Sequence, residues 1–218
     1  MAQFDLHDPA PAGDEGLIRR LRNLDTSTFG HWRLWGILGQ RVRRLTPGRK
    51  AAGTAVTLAL PGADSSLLHR ALAQFRPGDF VVIDRLGDQR HACVGGLVAR
   101  ELKGRGVAGV LIDGPVTDVA ELTELGLPLW CSGVSALTTR RLELGGRFNA
   151  PVSIEGVVIH SGDLLLADDD GVVVLEPGEA AAEIERAEAR THWERQIRSE
   201  IDTGTSLTTA LSRFPLPH

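Results

Sequence analysis

Apolar residues recur along this chain at two spacings, and the places where one gives way to the other mark the elements. Leu17, Ile18, Leu21 and Leu24 fall three or four apart and predict a helix over 14–24. Capping residues and aromatics in "DTSTFGHWRLWG" (25–36) predict a helix start and a turn. "AAGTAVTLAL" (51–60) alternates and is β-branched, so it reads as a strand. "DSSLLHRALAQF" (64–75) sets an N-cap before an apolar helical face. The turn "RPGD" (76–79) leads into a buried strand, "FVVID" (80–84). "GGLVARELKGRG" (95–106) reads as a helix with glycine at each end, and "VAGVLIDG" (107–114) as the next strand. "VTDVAELTELG" (116–126) reads as a helix stopped at Gly126, followed by a short strand, "LPLWCSG" (127–133). Residues 151–175 read mostly as strand, and 177–201 as one long amphipathic helix. The apolar positions Ile184, Ala187 and Trp193 of that helix exceed what an isolated surface helix needs. Strand–helix alternation followed by a β-rich part predicts a mixed α/β fold. Residues 1–13, polar with two prolines, read as a flexible N-terminal arm, and 14–218 as a single domain.

Composition narrows the function classes. Of 218 residues, 42% are apolar, enough for a sizeable core. The net charge of −4 gives no global pull toward nucleic acid or anionic lipid, and neither is expected as a partner. Two cysteines, Cys93 and Cys131, have neither metal-ligand spacing nor a disulfide framework, and read as reduced thiols of a cytoplasmic protein. No signal-peptide core is present, and no apolar run approaches the ~18 residues of a membrane span. No glycine-rich nucleotide loop with an acidic follow-up occurs, which removes a nucleotide-cofactor reading.

Three stretches could carry chemistry. In "RHACVGGLVAR" (90–100), Gly95 and Gly96 precede a helix whose first amides, around Gly96, Leu97 and Val98, have no intrahelical acceptor. An anion is welcome there, although a glycine turn needed only for packing would read the same. In "DGPVTD" (113–118), Asp113 ends a strand and Asp118 opens the next helix. A carboxylate at a strand end could hold Mg²⁺ or Mn²⁺, and a helix-start acid favoured by the dipole is the plainer alternative. "DDDG" (168–171) resembles a metal cluster but lacks calcium-loop spacing, so a hairpin turn is the simpler reading. His31, His69, His91 and His160 show no ligand spacing, and His69 sits mid-helix.

The stretch "PGDFVVIDRLGDQRHACVGGLVARELKGRGVAGVLIDGPVTDVAEL" (77–122) resembles the signature region of the regulator of ribonuclease activity A (RraA)-like family. That family includes the class II 4-hydroxy-4-methyl-2-oxoglutarate aldolases, which also decarboxylate oxaloacetate. "AAGTAVTL" upstream and "PVSIEGVVIHSGDLLLADDDGVVVL" downstream extend the resemblance over roughly residues 16–207, with the spaced motifs in the right order. The resemblance implies a β/β/α sandwich of the swivelling-domain type. It implies a homotrimer or homohexamer with sites at subunit interfaces, and a small carboxylate-bearing substrate. It also implies a divalent cation, Mg²⁺ or Mn²⁺, held through the residue matching Asp118. Amides matching Leu97 and Val98 would hold a pyruvoyl unit.

The chain departs from that pattern at four points. Thr117 stands where aldolases carry arginine, and Gly96 where an acid is common. His31 stands about where an aspartate is usual, and Arg85 where glycine commonly follows the strand. Arg85, and second Arg90, are the candidates to replace the missing cation. Glu194 of the long helix is the candidate to complete the metal site of a neighbouring subunit. Trp32 and Trp35 either reshape the pocket for a larger or aromatic substrate or simply pack. The expected activity is a metal-dependent carbon–carbon lyase of aldolase or decarboxylase type. The alternative is a non-catalytic member that binds a protein partner such as a ribonuclease.

Overall fold

The alternating middle of the chain builds the centre of a large sheet. The computed structural model describes residues 3–48 and 50–214, so the ends of the expected arm and domain at 1–2 and 215–218 lie outside the described residues. In chain order the elements begin β1 (Gln3–Leu6), α1 (Glu15–Leu21), α2 (Thr26–Phe29), β2 (Ile37–Leu38), β3 (Arg43–Arg44), β4 (Ala51–Ala59), α3 (Ser66–Ala71) and β5 (Asp79–Asp84). They continue α4 (Gly96–Gly104), β6 (Gly109–Val116), α5 (Val119–Leu125), β7 (Leu129–Val134) and β8 (Gly145–Phe148). The chain then forms β9 (Val152–Ile154), β10 (Val157–Ile159), β11 (Leu164–Ala167), β12 (Val172–Leu175), α6 (Pro177–Asp202) and α7 (Leu207–Arg213).

Strands β4, β5, β6 and β7 run parallel because a helix crosses over after each of the first three. Antiparallel neighbours extend them on both sides, giving the order β2-β12-β11-β4-β5-β6-β7-β3. Helices α3, α4 and α5 cover one face through Leu67, Leu68, Ala99, Leu102 and Leu122. The β9–β10 hairpin closes the opposite face through Val152, Ile154 and Ile159. Helices α1, α2 and α6 pack on β11 and β12. This is the expected β/β/α layering in a mixed α/β fold.

Several local expectations need adjusting. β4 does not alternate between core and solvent, because every one of its residues is buried. It lies at the centre of the sheet, where Val56 and Leu58 enter the core beneath the helices and Ala51, Ala55 and Ala59 the core beneath the hairpin. Small side chains make that double coverage possible. Residues 3–6 of the segment expected as an arm pair in parallel with β8, and Arg76 binds the carbonyl of Ala10 at 3.2 Å. "DDDG" is the β11–β12 hairpin connection: the Asp168 carboxylate accepts from Thr26, Asp170 and Gly171 amides. The apolar stripe of α6 is used inside the subunit. Ile184 and Ala187 are buried among α1, α2 and β12, and Trp193 Nε1 donates to the Phe214 carbonyl at 3.0 Å.

Candidate functional site

β6 ends at Val116, and the chain turns sharply into α5. Asp118 makes that turn with φ 58° and ψ 41°, a left-handed conformation that costs a residue with a Cβ on the order of 1 kcal/mol. The turn directs the carboxylate away from its own helix. No side-chain bond caps α5, and Asp118 Oδ2 accepts instead from the Gly96 amide at 2.9 Å. The Thr117 amide donates to Val94 C=O at 3.0 Å, while its hydroxyl lies 3.4 Å from Asp118 Oδ1. A Cβ at Gly95 would stand 2.6 Å from Asp118 Oδ2 and 2.8 Å from Thr117 Cγ2. Glycine at 95 is therefore what lets the two loops meet.

α4 is nine residues long, and the Ala99 amide makes its bond to Gly95 C=O at 3.0 Å. The amides of Leu97 and Val98 precede that bond and point ahead of the helix, where the dipole favours negative charge. The Leu97 side chain is 85% exposed at this mouth. Beside it a shallow cleft of about 260 Å³ is lined by residues 116–119 and 134–136.

The donor set suits a hard divalent cation that keeps most of its water. Asp118 is exposed, and its neighbour across Gly96 is a second carboxylate, Glu121. Among the described residues no three His, Cys, Asp or Glu side chains come together. Mg²⁺ and Mn²⁺ are commonly held by one or two carboxylates plus waters, so the residues present fit such an ion.

Of the other sequence candidates, Arg90 borders this mouth and the rest lie apart from it. Arg85 is fully buried: Nη2 donates to the carbonyl of Gly62, to Asp88 Oδ2 at 3.1 Å and to the His91 carbonyl at 3.4 Å. Its Cγ occupies the space where Gly114 would carry a Cβ. Its Nε and Nη1 are buried without a hydrogen-bond partner among the described residues. Arg90 is exposed, and its carbonyl accepts from Ser135 Oγ at 2.7 Å, on the rim of the cleft. Glu194 lies on α6, where Arg190, Arg198 and His31 hold it at 2.9, 3.2 and 3.3 Å. α6 packs on α1, α2, α7 and β12, whereas α5 packs on α4, so one chain does not join Glu194 to Asp118. Asp113 does not end the strand as expected but lies within β6, which runs on to Val116, and it is held by Arg41 at 2.7–3.1 Å and by Gln89.

Sequence reasoning missed Glu121, Asp88 and Glu155. Asp88 lies 2.8 Å from His91 Nδ1 and accepts from the Arg90 amide at 2.9 Å. Burial opposes its charge, but the Arg90 amide, the His91 ring and the Arg85 charge together hold its carboxyl below the usual range. A larger cleft of about 870 Å³ opens at the other end of the parallel strands, where Arg44–Asp169 and Lys50–Asp25 pair across it. Its charges answer one another, and it lies away from the strand-end loops where ligands usually bind in such folds.

Comparison with known proteins identifies the family and the fold. The family model described as RraA-like, Aldolase/RraA, matches residues 19–174. A Halalkalibacterium halodurans protein that carries the provisional name 4-hydroxy-4-methyl-2-oxoglutarate aldolase is 30% identical over 153 residues, 70% of this chain and 72% of the relative. Among solved structures, Streptomyces coelicolor RraAS2, described as an unusual member of the RNase ES inhibitor RraA protein family, superposes with a TM-score of 0.78. It is 30% identical, and the match covers 87% of this chain and 99% of that one. The RNA-processing inhibitor RraA from Thermus thermophilis matches with a TM-score of 0.63 at 27% identity, over 69% of this chain and 90% of that one.

Proposed function

Since this chain belongs to the RraA-like family, we propose that it is a metal-dependent lyase that cleaves an aldol or decarboxylates a small 2-oxo carboxylate. The observation that carries this reading is the placement of the exposed Asp118 carboxylate against the open start of α4. Asp118 already occupies one donor of that start, so a second anion, the substrate carboxylate, shares it favourably only with a cation to offset the two negative charges.

In this reading Asp118 is the residue that would hold Mg²⁺ or Mn²⁺. The Leu97 and Val98 amides donate to the substrate carboxylate, fixing its orientation in the mouth. Both candidate reactions leave an electron pair on the carbonyl oxygen next to that carboxylate, and the bound cation supplies the Lewis acidity that stabilises it. Gly95 and Gly96 let the substrate approach the backbone closely. Thr117 contributes a hydroxyl but no charge, so turnover of oxaloacetate is weak. Three or six copies assemble into a ring, in which Glu194 of one subunit reaches the mouth of the next. The setting is the cytoplasm, in keeping with the free, buried Cys93 and Cys131.

Calorimetric titration of Mg²⁺ and Mn²⁺ into the protein and into Asp118→Ala tests this. Binding is expected for the first and lost in the second, and equal binding would sink the assignment. A panel of 2-oxo acids and aldol adducts, read by pyruvate release, then identifies the reaction. A second reading, a binder of a ribonuclease or other protein, is favoured by one observation: Leu97, at the centre of the mouth, is an exposed apolar side chain. Metal bound at Asp118 with no turnover of any panel member would shift the assignment to it.

A further inference from the structure

Asp118 is the one charged residue in the lining of its own cleft. The rest of the exposed wall is hydroxyl or hydrocarbon: Thr117, Val119, Val134, Ser135 and Ala136. Val134 pairs in register with Val116 at the end of the β6–β7 ladder, but Val116 is fully buried and Val134 is left in solvent. Val119, the first residue of α5, is part-exposed as well. Leu97 is exposed on the other side of the Asp118–Gly96 bond. Apolar side chains scattered singly over a surface are ordinary, whereas three around one small cleft form a patch.

The polar groups of that wall are already engaged. Ser135 Oγ donates to the Arg90 carbonyl at 2.7 Å, and Thr117 Oγ1 lies 3.4 Å from Asp118 Oδ1. The basic residues of the signature stretch are engaged too, with one exception among the described residues. Arg85 is fully buried, Arg100 pairs with Glu121 at 2.7 Å, Lys103 with the Leu125 carbonyl and Arg105 with Glu101 at 2.9 Å. The exception, Arg90, is exposed on the rim and does not line the cleft. A ligand carboxylate laid on this wall would give up water without gaining a donor, beside the negative charge of Asp118. A hydrocarbon group laid there gives up nothing and gains the burial.

We propose that the substrate is a 2-oxo monocarboxylate whose far end is a small branched hydrocarbon group, seated on Val119, Val134 and Leu97, rather than a second carboxylate. The proposal rests on the reading in which Asp118 and the start of α4 hold the 2-oxo carboxylate head, and it adds the class of the tail. The cleft, about 260 Å³, limits that tail to a few carbon atoms. Val134 is the residue that sets specificity, because it is the largest side chain on the β7 side of the wall.

The test is binding by calorimetry to the protein in its native assembly at saturating Mn²⁺. Oxalate presents the head alone, 4-methyl-2-oxopentanoate adds an isopropyl tail, and 2-oxoglutarate adds a carboxylate instead. The proteins are the unsubstituted chain, Val134→Ala, Val134→Arg and Arg90→Ala. The unsubstituted chain should bind 4-methyl-2-oxopentanoate at least about tenfold more tightly than 2-oxoglutarate, the lower end of what a fitted hydrocarbon group provides. Val134→Ala should narrow that ratio without changing oxalate affinity, Val134→Arg should reverse it, and Arg90→Ala should leave it as it is. If oxalate binds but 2-oxoglutarate binds at least as tightly as 4-methyl-2-oxopentanoate, the head reading stands and the proposal falls. Loss of that 2-oxoglutarate binding in Arg90→Ala would then identify Arg90 as the cation for a second carboxylate. A preference for the hydrocarbon tail that neither Val134 variant alters would overturn the assignment of the tail to this wall. If oxalate does not bind although Mn²⁺ does, the 2-oxo carboxylate reading falls and the proposal with it.

Discussion

The cleft wall at residue 117 is where the chain's chemistry is most exposed to a single substitution. Thr117 packs its Cγ2 against Gly95 and lies next to the Asp118 carboxylate, so a longer side chain there would project into the cleft. Threonine cannot offer the planar, charged fork that grips a carboxylate. Thr117→Arg is therefore expected to raise Mg²⁺-dependent oxaloacetate decarboxylation at least about tenfold, which needs only about 1.4 kcal/mol of transition-state stabilisation. Pyruvate release under initial-rate conditions measures it. Unchanged turnover with metal still bound would mean that charge at 117 is not what limits the native protein. Arg85 does not compensate by direct contact, since it is fully buried behind Gly114 and tied to the Gly62 and His91 carbonyls. Asp118 and the Gly95-Gly96 helix start were readable as candidates because residue type and position after a strand mark them. Glu121 was not, because Asp-x-x-Glu spells a cap in one dimension, and only the packing of α5 on α4 shows that it caps nothing. Arg85 was misplaced in the same way: Gly114 leaves room for its stem, and the guanidinium turns inward to the Gly62 and His91 carbonyls and Asp88.

Among the elements, the β9–β10 hairpin depends on a residue with no sequence signature. Glu155 sits at the hairpin turn with φ 51°, and its carboxylate accepts from four successive amides, Gly39, Gln40, Arg41 and Val42, at 2.6–3.1 Å. It thereby clasps the strand-poor 39–42 loop onto the hairpin that closes one face of the sheet. Burial opposes the charge, but the four amides outweigh it and hold the carboxyl below its ordinary value. A folded-state value below the unfolded one contributes stability that is fully present above the unfolded value. That stability is lost as pH falls through the folded one. Glu155→Gln is expected to cost about 1.5–3 kcal/mol at pH 7, the scale of charge-assisted bonds. The difference from the unsubstituted chain should shrink once pH drops below about 4.5, near the ordinary glutamate value. Urea unfolding at several pH values reads both, and a difference that stays constant down to pH 3 would show that the charge is not responsible. The long periodic elements, α3 to α6 and β4 to β7, were legible because each repeats its pattern over several residues. The two-residue strands β2 and β3 and the glycine-led β8 were not, since their pairing is set by β12, β7 and β4 rather than by anything local. α7 also went unread, since it is positioned by α6 rather than by a local apolar pattern.

On the scale of the whole molecule, the case for a ring moves from α6, whose apolar stripe is consumed inside the subunit, to side chains left in solvent. Leu34 is 92% exposed, Trp35 62%, Leu97 85% and Val134 60%, apolar side chains that a contact between subunits would cover. Leu34 and Trp35 follow His31, which pairs with Glu194, while Val134 lines the Asp118 cleft and Leu97 follows Gly96, whose amide binds Asp118. Two different patches that must both be covered suit a head-to-tail contact, and such a contact closes into a ring when its rotation allows. Light scattering should then give three or six times the chain's own mass, and Leu34→Asp should lower it; a stable monomer at micromolar concentration would count decisively against the ring. A mixing experiment goes further, because it asks whether the contact completes the site. Asp118→Ala and Glu194→Ala each lack one carboxylate in every site. If Glu194 serves the neighbour, co-refolding them in equal amounts makes rings in which about a quarter of the sites receive Asp118 from one subunit and Glu194 from the next. Mn²⁺ binding absent or weakened in both parents should reappear at that stoichiometry in the mixture. If the mixture binds no better than the average of its parents while remaining oligomeric, Glu194 belongs to its own subunit's ion-pair cluster, and the ring has a role other than completing the metal site.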